Sequence, residues 1–166
     1  MIIHPEFILK SRDFRIHESG HIAVGVMLKL PMLGGEIFRD GSGGRANLDW
    51  DSIRQTETTD TRELDEFDAR VKIRASLNIA AMYAAGFAAE CIASQTPRGD
   101  IIGAKSHDMV KALEALALAD APPEIYLPIA WTKALRILEH TWPAVLELAG
   151  TIPITDGHHH KPPQFH

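Results

Sequence analysis

Two histidines four residues apart, His17 and His21, constrain the fold of this chain more than any other feature. Their side chains can meet at one point if the backbone between them is helical, because residues i and i+4 share a helix face with Cβ atoms about 6 Å apart. Apolar residues recur around them at helical spacing, and the helix is predicted to run from about Ser11 to Lys29 and to end before Pro31. The sequence therefore predicts a helix that presents two imidazoles on one face.

The residue after the first histidine completes a pattern found in metal-dependent hydrolases. Glu18 follows His17 directly, so that the stretch reads His-Glu-x-x-His. In this pattern both imidazoles bind one zinc ion, and the glutamate takes a proton from the water that the metal activates. We therefore predict His17 and His21 as zinc ligands and Glu18 as the general base. The pattern is short and also arises by chance, which leaves a helix with two ordinary surface or core histidines as the alternative.

Length and composition exclude several classes of function. The 166 residues suit one domain, expected over 1–154, followed by a flexible His- and Pro-rich tail, 155–166. Acidic residues outnumber Lys and Arg by 22 to 17, which argues against a nucleic-acid partner. No run approaches the ~20 consecutive apolar residues of a membrane span, and the first residues are not a signal peptide, so a cytoplasmic location is expected. Cys91, the only cysteine, excludes a disulfide framework and is expected to be buried.

A β-hairpin is predicted after the motif helix. Two short segments, 34–39 and 45–50, flank a glycine-rich turn. These glycines are not followed by Gly-Lys-Ser/Thr, so a phosphate-binding loop is excluded. The threonine-rich segment 51–62 shows no apolar periodicity and is predicted to be a loop.

The remainder of the chain is predicted to be helical, which gives a mainly α (α+β) fold. A long helix is expected over 63–93, and another begins where Ser106 can cap it. A further helix opens near residues 120–124; Pro128 is expected to kink it or shift its start, and Pro143 to mark a second initiation.

One stripe of the long helix carries a carboxylate at its end. Asn78, Met82, Gly86 and Glu90 follow one another at intervals of four residues. A carboxylate on an alanine-rich, apolar face needs a partner if it is buried. Glu90 is therefore predicted either to brace a metal ligand or to bind the metal itself, and an exposed acid at the helix end is the remaining alternative.

Three motifs, taken in order, resemble the peptidase domain of the FtsH-type ATP-dependent zinc metalloproteases. They are His17-Glu18-Ser19-Gly20-His21 with Gly25 four residues on, Gly86-Phe87-Ala88-Ala89-Glu90, and Ser106-His107-Asp108. In that family the corresponding stretches read close to His-Glu-Ala-Gly-His, Gly-Arg-Ala-Ala-Glu and Ser-Asn-Asp at the start of a helix. The glycine-bearing hairpin also has a counterpart there, and the likeness covers about residues 11–120.

The resemblance implies a helical zinc-metallopeptidase domain. Asp108 would join the two histidines as the third ligand, with the fourth position left to water. Glu18 would be the general base, and Glu90 would lie close to the site and brace it. The hairpin edge near Ile37 would hold an extended peptide by strand addition.

The chain also departs from that family. The sequence shows no Walker motif, no AAA+ module and no membrane anchor, so we expect hydrolysis of flexible or unfolded polypeptides, with a separate ATPase as a conceivable partner and oligomerisation left open. His107 stands where the family has Asn, and it could either compete for the metal or lie in solvent. The alternative function is a non-catalytic, zinc-stabilised scaffold or regulatory module, although a scaffold has no need of Glu18.

Overall fold

Helices dominate the fold, and a small sheet lies beside them. The computed structural model describes residues 14–57, 66–95 and 106–156, so that Ser11 and most of the predicted tail lie outside the described residues. Within these ranges the elements are α1 (Phe14–Met27), β1 (Met32–Phe38), β2 (Gly44–Leu48), α2 (Trp50–Glu57), α3 (Glu66–Ser94), α4 (His107–Ala117), α5 (Pro123–Thr151) and β3 (Ile154–Thr155). The predicted mainly helical α+β class is confirmed.

The motif helix α1 is buried between α3 and α5 over most of its length. Every residue from Ile16 to Gly25 is buried, because the helix packs against both neighbours. Gly20 makes the close approach to α3 possible, since a Cβ there would lie 2.6 Å from the Ala85 carbonyl oxygen and 2.7 Å from the Ala89 Cβ. A glycine on one helix and alanines on the other therefore bring the two backbones together.

The end of α1 is a tight turn that directs the chain into the sheet. Lys29 has a left-handed φ of 59°. Its N–H donates to the Val26 carbonyl oxygen at 3.0 Å, and the Leu30 N–H donates to that of Gly25 at 2.9 Å, which is the hydrogen-bond pattern of a Schellman motif. Pro31 then cannot continue the helix. The predicted end of the helix is confirmed.

The predicted hairpin is confirmed and forms part of a three-stranded sheet. β1 pairs antiparallel with β2, with Gly35 opposite Ala46 and Ile37 opposite Gly44. β1 also pairs in parallel with β3, where Ile37 lies opposite Ile154. The strand order is β2-β1-β3, so β1 is central. The expectation that a peptide adds beside Ile37 is therefore wrong, because both sides of β1 are already paired there; β2 is the edge strand of the hairpin.

One carboxylate connects the three strands. Glu36 on β1 forms an ion pair with its cross-strand partner Arg45 on β2. Its other carboxylate oxygen accepts a hydrogen bond from the Thr155 hydroxyl on β3. Thr155, which the sequence assigned to the tail, is therefore part of the sheet, and residues 157–166 lie outside the described residues.

α5 is one continuous helix, and the predicted second initiation at Pro143 is wrong. Residues buried against α1 and α3 lie on both sides of that proline, including Leu138 and Val145, which are both fully buried. Packing along this stripe requires a single helix axis, which outweighs the hydrogen bond that a proline removes. Thr141 donates its hydroxyl to the Ile137 carbonyl oxygen at 2.8 Å, in the turn before Pro143.

The segment predicted to be a loop begins with the short helix α2, so that prediction is wrong for residues 51–57. Asp49 caps this helix: its carboxylate accepts hydrogen bonds from the Ser52 N–H at 3.1 Å and the Ser52 hydroxyl at 2.6 Å. Such a cap satisfies a free amide of the first turn. The helix was missed because the sequence prediction placed Asp49 in a strand and gave its capping signal no weight.

α3 is long and apolar enough to cross a membrane, yet it forms the centre of this fold. The segment Ala69–Ser94 has a mean hydropathy of 1.3 in its most apolar window, and 67% of that window is buried inside the protein. The helix contacts α1, α4 and α5. Its apolar residues are thus used for helix packing, and they form the wall against which the motif helix is held.

Candidate metal centre

α1 presents the two histidines and the glutamate of its motif to the interior. His17 and His21 are each only 3% exposed, and Glu18 is 5% exposed. The two imidazole rings lie edge to face, with centroids 4.7 Å apart and an interplanar angle of 80°. The predicted i, i+4 geometry is therefore realised, and both side chains lie against α3.

Each imidazole is oriented by a hydrogen bond from its Nδ1 atom to α3. The Nδ1–H of His21 donates to the Met82 carbonyl oxygen at 2.7 Å, and the Nδ1–H of His17 donates to a carboxylate oxygen of Glu90. Such partners fix the ring orientation and leave the opposite nitrogen for a metal. The two Nε2 atoms accordingly point at each other, 3.0 Å apart.

Asp108 completes a group of three convergent atoms. It lies in the first turn of α4, which Ser106 caps by accepting a hydrogen bond from the Met109 N–H. The Oδ2 atom of Asp108 is 2.9 Å from the His17 Nε2 and 3.6 Å from the His21 Nε2. The start of α4 thus brings the carboxylate of the third motif to the histidines of the first.

The donor set and its spacing fit a zinc ion. Ligand atoms at the usual tetrahedral zinc distances lie about 3.3 Å from one another, and the three separations here are 3.0, 2.9 and 3.6 Å. Two neutral imidazoles and a carboxylate are ordinary zinc ligands that leave a fourth position for water. In the described parts of the chain, this is the one group of three His, Cys, Asp or Glu side chains placed to hold a metal ion.

The charges around the histidines favour a cation at this point. Burial alone would lower the pKa of His17, but hydrogen bonds to Asp108 and Glu90 and the negative charges of Glu90 and Glu18 outweigh it and raise the pKa to about 9. Burial would raise the pKa of Asp108, but hydrogen bonds from His17 and His21 hold it far below its usual range. Without a metal, the protonated imidazole of His17 therefore carries a positive charge between the carboxylates of Asp108 and Glu90.

Gly86 gives the imidazoles the room that they occupy. A Cβ at this position would lie 2.5 Å from the Nε2 atoms of both His17 and His21. A side chain there would push the two nitrogens away from their present positions. Gly86 is thus required by the shape of the site, and the same stripe places Glu90 behind His17.

A cavity of about 350 Å³ opens in front of these residues. Glu18, His17 and Asp108 line it together with the β-hairpin turn and the start of β2, residues 42–46. Gly44 allows β2 to lie against the general-base candidate, since a Cβ on Gly44 would be 2.8 Å from the Glu18 Cγ. The edge strand, the side chain of Glu18 and two members of the candidate ligand group, His17 and Asp108, therefore line the same space.

The structure also shows where three other residues from the sequence analysis lie: Glu90, His107 and Asn78. Glu90 is 8% exposed, which rules out the exposed alternative, and its contact with His17 Nδ1 places it behind a ligand rather than in the group of three. His107 is exposed, lines the cavity and does not belong to that group. Asn78 is not part of the site: its amide oxygen accepts a hydrogen bond from the Lys133 Nζ at 2.6 Å.

Two kinds of group in the site were not predicted from the sequence: aromatic side chains that line the cavity and a backbone carbonyl that orients a histidine. Tyr83 and Phe87 line the cavity, and Phe87 packs edge to face on His17 with centroids 5.0 Å apart. Their spacing of four residues on α3 could have indicated this, because it puts two aromatic rings on one helix face, next to the stripe that ends at Glu90. Met82 acts through its backbone carbonyl, which no side-chain pattern reveals.

Comparison with known proteins leaves this site to be interpreted from its own geometry. No protein-family model matches the chain, and neither the curated proteins nor the solved structures contain a match.

Proposed function

We propose that this protein is a zinc-dependent endopeptidase that hydrolyses flexible or unfolded polypeptides. The observation that carries the proposal is the convergence of His17 Nε2, His21 Nε2 and Asp108 Oδ2 beside a cavity that Glu18 also lines. Catalytic zinc sites ordinarily have three protein ligands and an open position, and in the His-Glu-x-x-His pattern the adjacent glutamate is the general base. These three residues would hold Zn²⁺.

The metal and the protein supply different parts of the chemistry. A bound zinc ion lowers the pKa of water to about 7 and polarises a carbonyl group. Glu18 accepts a proton from the attacking water, whose oxygen forms a bond to the carbonyl carbon while the π electrons move onto the carbonyl oxygen. Glu18 then returns the proton to the amide nitrogen, the electron pair on the oxygen re-forms the C=O bond, and the C–N bond breaks with its electron pair leaving on the amine.

The surroundings of Glu18 suit this role. The carboxylate is held in a buried environment by β2, whose Gly44 packs directly on its side chain. His17, hydrogen-bonded to Asp108 and Glu90, is fixed beside it. A base that is already positioned loses little orientational freedom in the transition state.

The edge of β2 is the surface on which an extended substrate would lie. Among the strands that the structure describes, β2 pairs on one side only, with β1. Its first residues and the preceding turn line the cavity. A peptide adding to this edge would bring its own carbonyl groups past Glu18. Strand addition selects an extended backbone, which is why we propose flexible polypeptides as substrates.

The decisive experiment compares two glutamate variants of the full chain, loaded with one equivalent of zinc. Glu18→Gln should reduce cleavage of a dye-labelled unfolded protein by at least about 100-fold, which is typical of losing a general base. Glu139→Gln, an exposed change on α5, should leave cleavage unchanged. Wild-type cleavage by the Glu18 variant would refute the proposal. Stoichiometric zinc binding without cleavage of any unfolded protein or peptide mixture would instead favour a scaffold.

A further inference from the structure

Tyr83 lines the cavity, and the hydrolysis proposed above assigns it no role. It follows Met82, the residue that orients His21, and it lines the same cavity as Glu18 and Asp108. Its ring packs edge to face against the His21 ring, with centroids 6.5 Å apart and an interplanar angle of 69°. The ring is also stacked on Trp50, with centroids again 6.5 Å apart and an interplanar angle of 21°. The ring therefore contacts both a proposed ligand, His21, and the start of α2.

The hydroxyl group of Tyr83 is a hydrogen-bond donor at neutral pH. The ordinary pKa of a phenol is about 10, so the hydroxyl keeps its proton, and it forms a hydrogen bond with the Trp50 side chain. An indole side chain can only donate, so Trp50 uses a lone pair of the phenol oxygen. The phenol proton therefore remains for another acceptor.

We propose that Tyr83 is a further catalytic residue, whose hydroxyl donates a hydrogen bond to the oxygen of the scissile carbonyl as that oxygen becomes negatively charged. This inference rests on the proposed peptidase function. The phenol keeps its proton throughout: the proton of the attacking water goes to Glu18 and then to the amine, and the phenol supplies a dipole only. A donor that is fixed before the reaction stabilises the developing charge without reorganising.

The position of Tyr83 supports this role better than a packing role alone. Phe87, one turn further along α3, already covers His17 with an apolar ring. A phenylalanine at position 83 would make the same ring contacts with His21 and Trp50. The Trp50 hydrogen bond uses the hydroxyl only as an acceptor, so its donor side is the part of the side chain that this contact does not explain, and it belongs to a residue that lines the cavity.

The test removes one oxygen atom from each of the two tyrosines in the chain. Tyr83→Phe should lower kcat for an unfolded substrate about 100- to 1,000-fold, as for loss of an oxyanion donor, while KM and zinc content stay at wild-type values and Tm falls by no more than about 4 °C, the effect of losing the Trp50 hydrogen bond. Tyr126→Phe, the matched change at the start of α5, should leave kcat unchanged. An unchanged kcat in Tyr83→Phe, a rise in KM alone, or loss of zinc would overturn the inference.

A binding measurement keeps the inference independent of turnover. A phosphinic peptide, whose tetrahedral anionic centre resembles the charged carbonyl oxygen, is titrated calorimetrically into the zinc-loaded wild type and both tyrosine variants. Its affinity should fall in Tyr83→Phe by the same factor as kcat/KM and stay constant in Tyr126→Phe. If the wild type cleaves nothing, the proposed function fails, and the analogue still decides on Tyr83: equal affinity for wild type and variant, or no binding, overturns its role.

Discussion

Glu90 on α3 holds His17 on α1 through a hydrogen bond between its carboxylate and the Nδ1–H of the imidazole. This contact joins residues 73 positions apart, and it turns the Nε2 atom of His17 toward His21 and Asp108. The carboxylate would therefore act on a bound metal through the histidine that it orients.

Replacing Glu90 should weaken zinc binding without removing a ligand. We expect Glu90→Gln to lower zinc affinity about 10- to 100-fold, the usual effect of losing such a partner. The measurement is competition with a chromophoric chelator, and Glu139→Gln on the exposed side of α5 is the matched control. Zinc affinity equal to that of the wild type in Glu90→Gln would show that the contact has no influence on the metal.

A methyl group at Gly86 should disrupt the site sterically. Its carbon would lie 2.5 Å from both Nε2 atoms, so Gly86→Ala should cost roughly 1–3 kcal/mol of metal-free stability and reduce zinc affinity further than Glu90→Gln does. Thermal unfolding and the chelator competition measure the two effects.

The control for that change is another helical glycine. A Cβ on Gly150 of α5 would meet no atom within 4 Å, so Gly150→Ala should be neutral or stabilising by up to about 1 kcal/mol. If Gly86→Ala behaves in the same way and keeps its zinc affinity, the close approach of the histidines to α3 is not required.

The stability of the metal-free protein should depend on pH through His17. Its pKa is raised from 6.5 to about 9 in the folded state, so the folded protein binds more protons than the unfolded chain between these values. The stabilisation is fully present below pH 6.5 and is lost as the pH rises through 9; it amounts to roughly 3 kcal/mol. Urea unfolding with a chelator present, from pH 6 to 10, measures this slope.

Two histidine variants test that assignment. His17→Gln should flatten the decline in the free energy of unfolding, whereas His140→Gln, an exposed change on α5, should keep it. A decline of equal size in the His17 variant would assign the pH dependence to another group.

The parts of the fold that local signals encode could be predicted from the sequence. Apolar periodicity gave α1 and α3, the glycine-rich turn gave the hairpin, and Ser106 gave the start of α4. The failures have tertiary causes: α5 passes Pro143 because buried residues on both sides pack against α1 and α3, and β3 forms by pairing with a strand more than a hundred residues earlier. No local pattern contains either contact.

The candidate site likewise has parts that local sequence signals predict and parts that depend on tertiary packing. The spacing of His17 and His21 was enough to place both imidazoles on one face of a helix. Asp108 lies 91 residues beyond His17, and its role was expected from the resemblance alone, since the spacing of the residues says nothing about where α4 begins in space. The support from the Met82 carbonyl and the hydroxyl of Tyr83 became visible only when α3 was packed against α1.

The most direct test of the account is the zinc content of the full chain with His158, His159 and His160 changed to alanine, so that the tail cannot bind the metal. After dialysis against zinc and then against buffer, mass spectrometry under native conditions should find one zinc ion per chain. Asp108→Ala on the same background should bind zinc at least about 100-fold more weakly, because one of three ligands is gone. No zinc, or zinc bound equally well with and without Asp108, would contradict the three-ligand site on which the proposed hydrolysis depends.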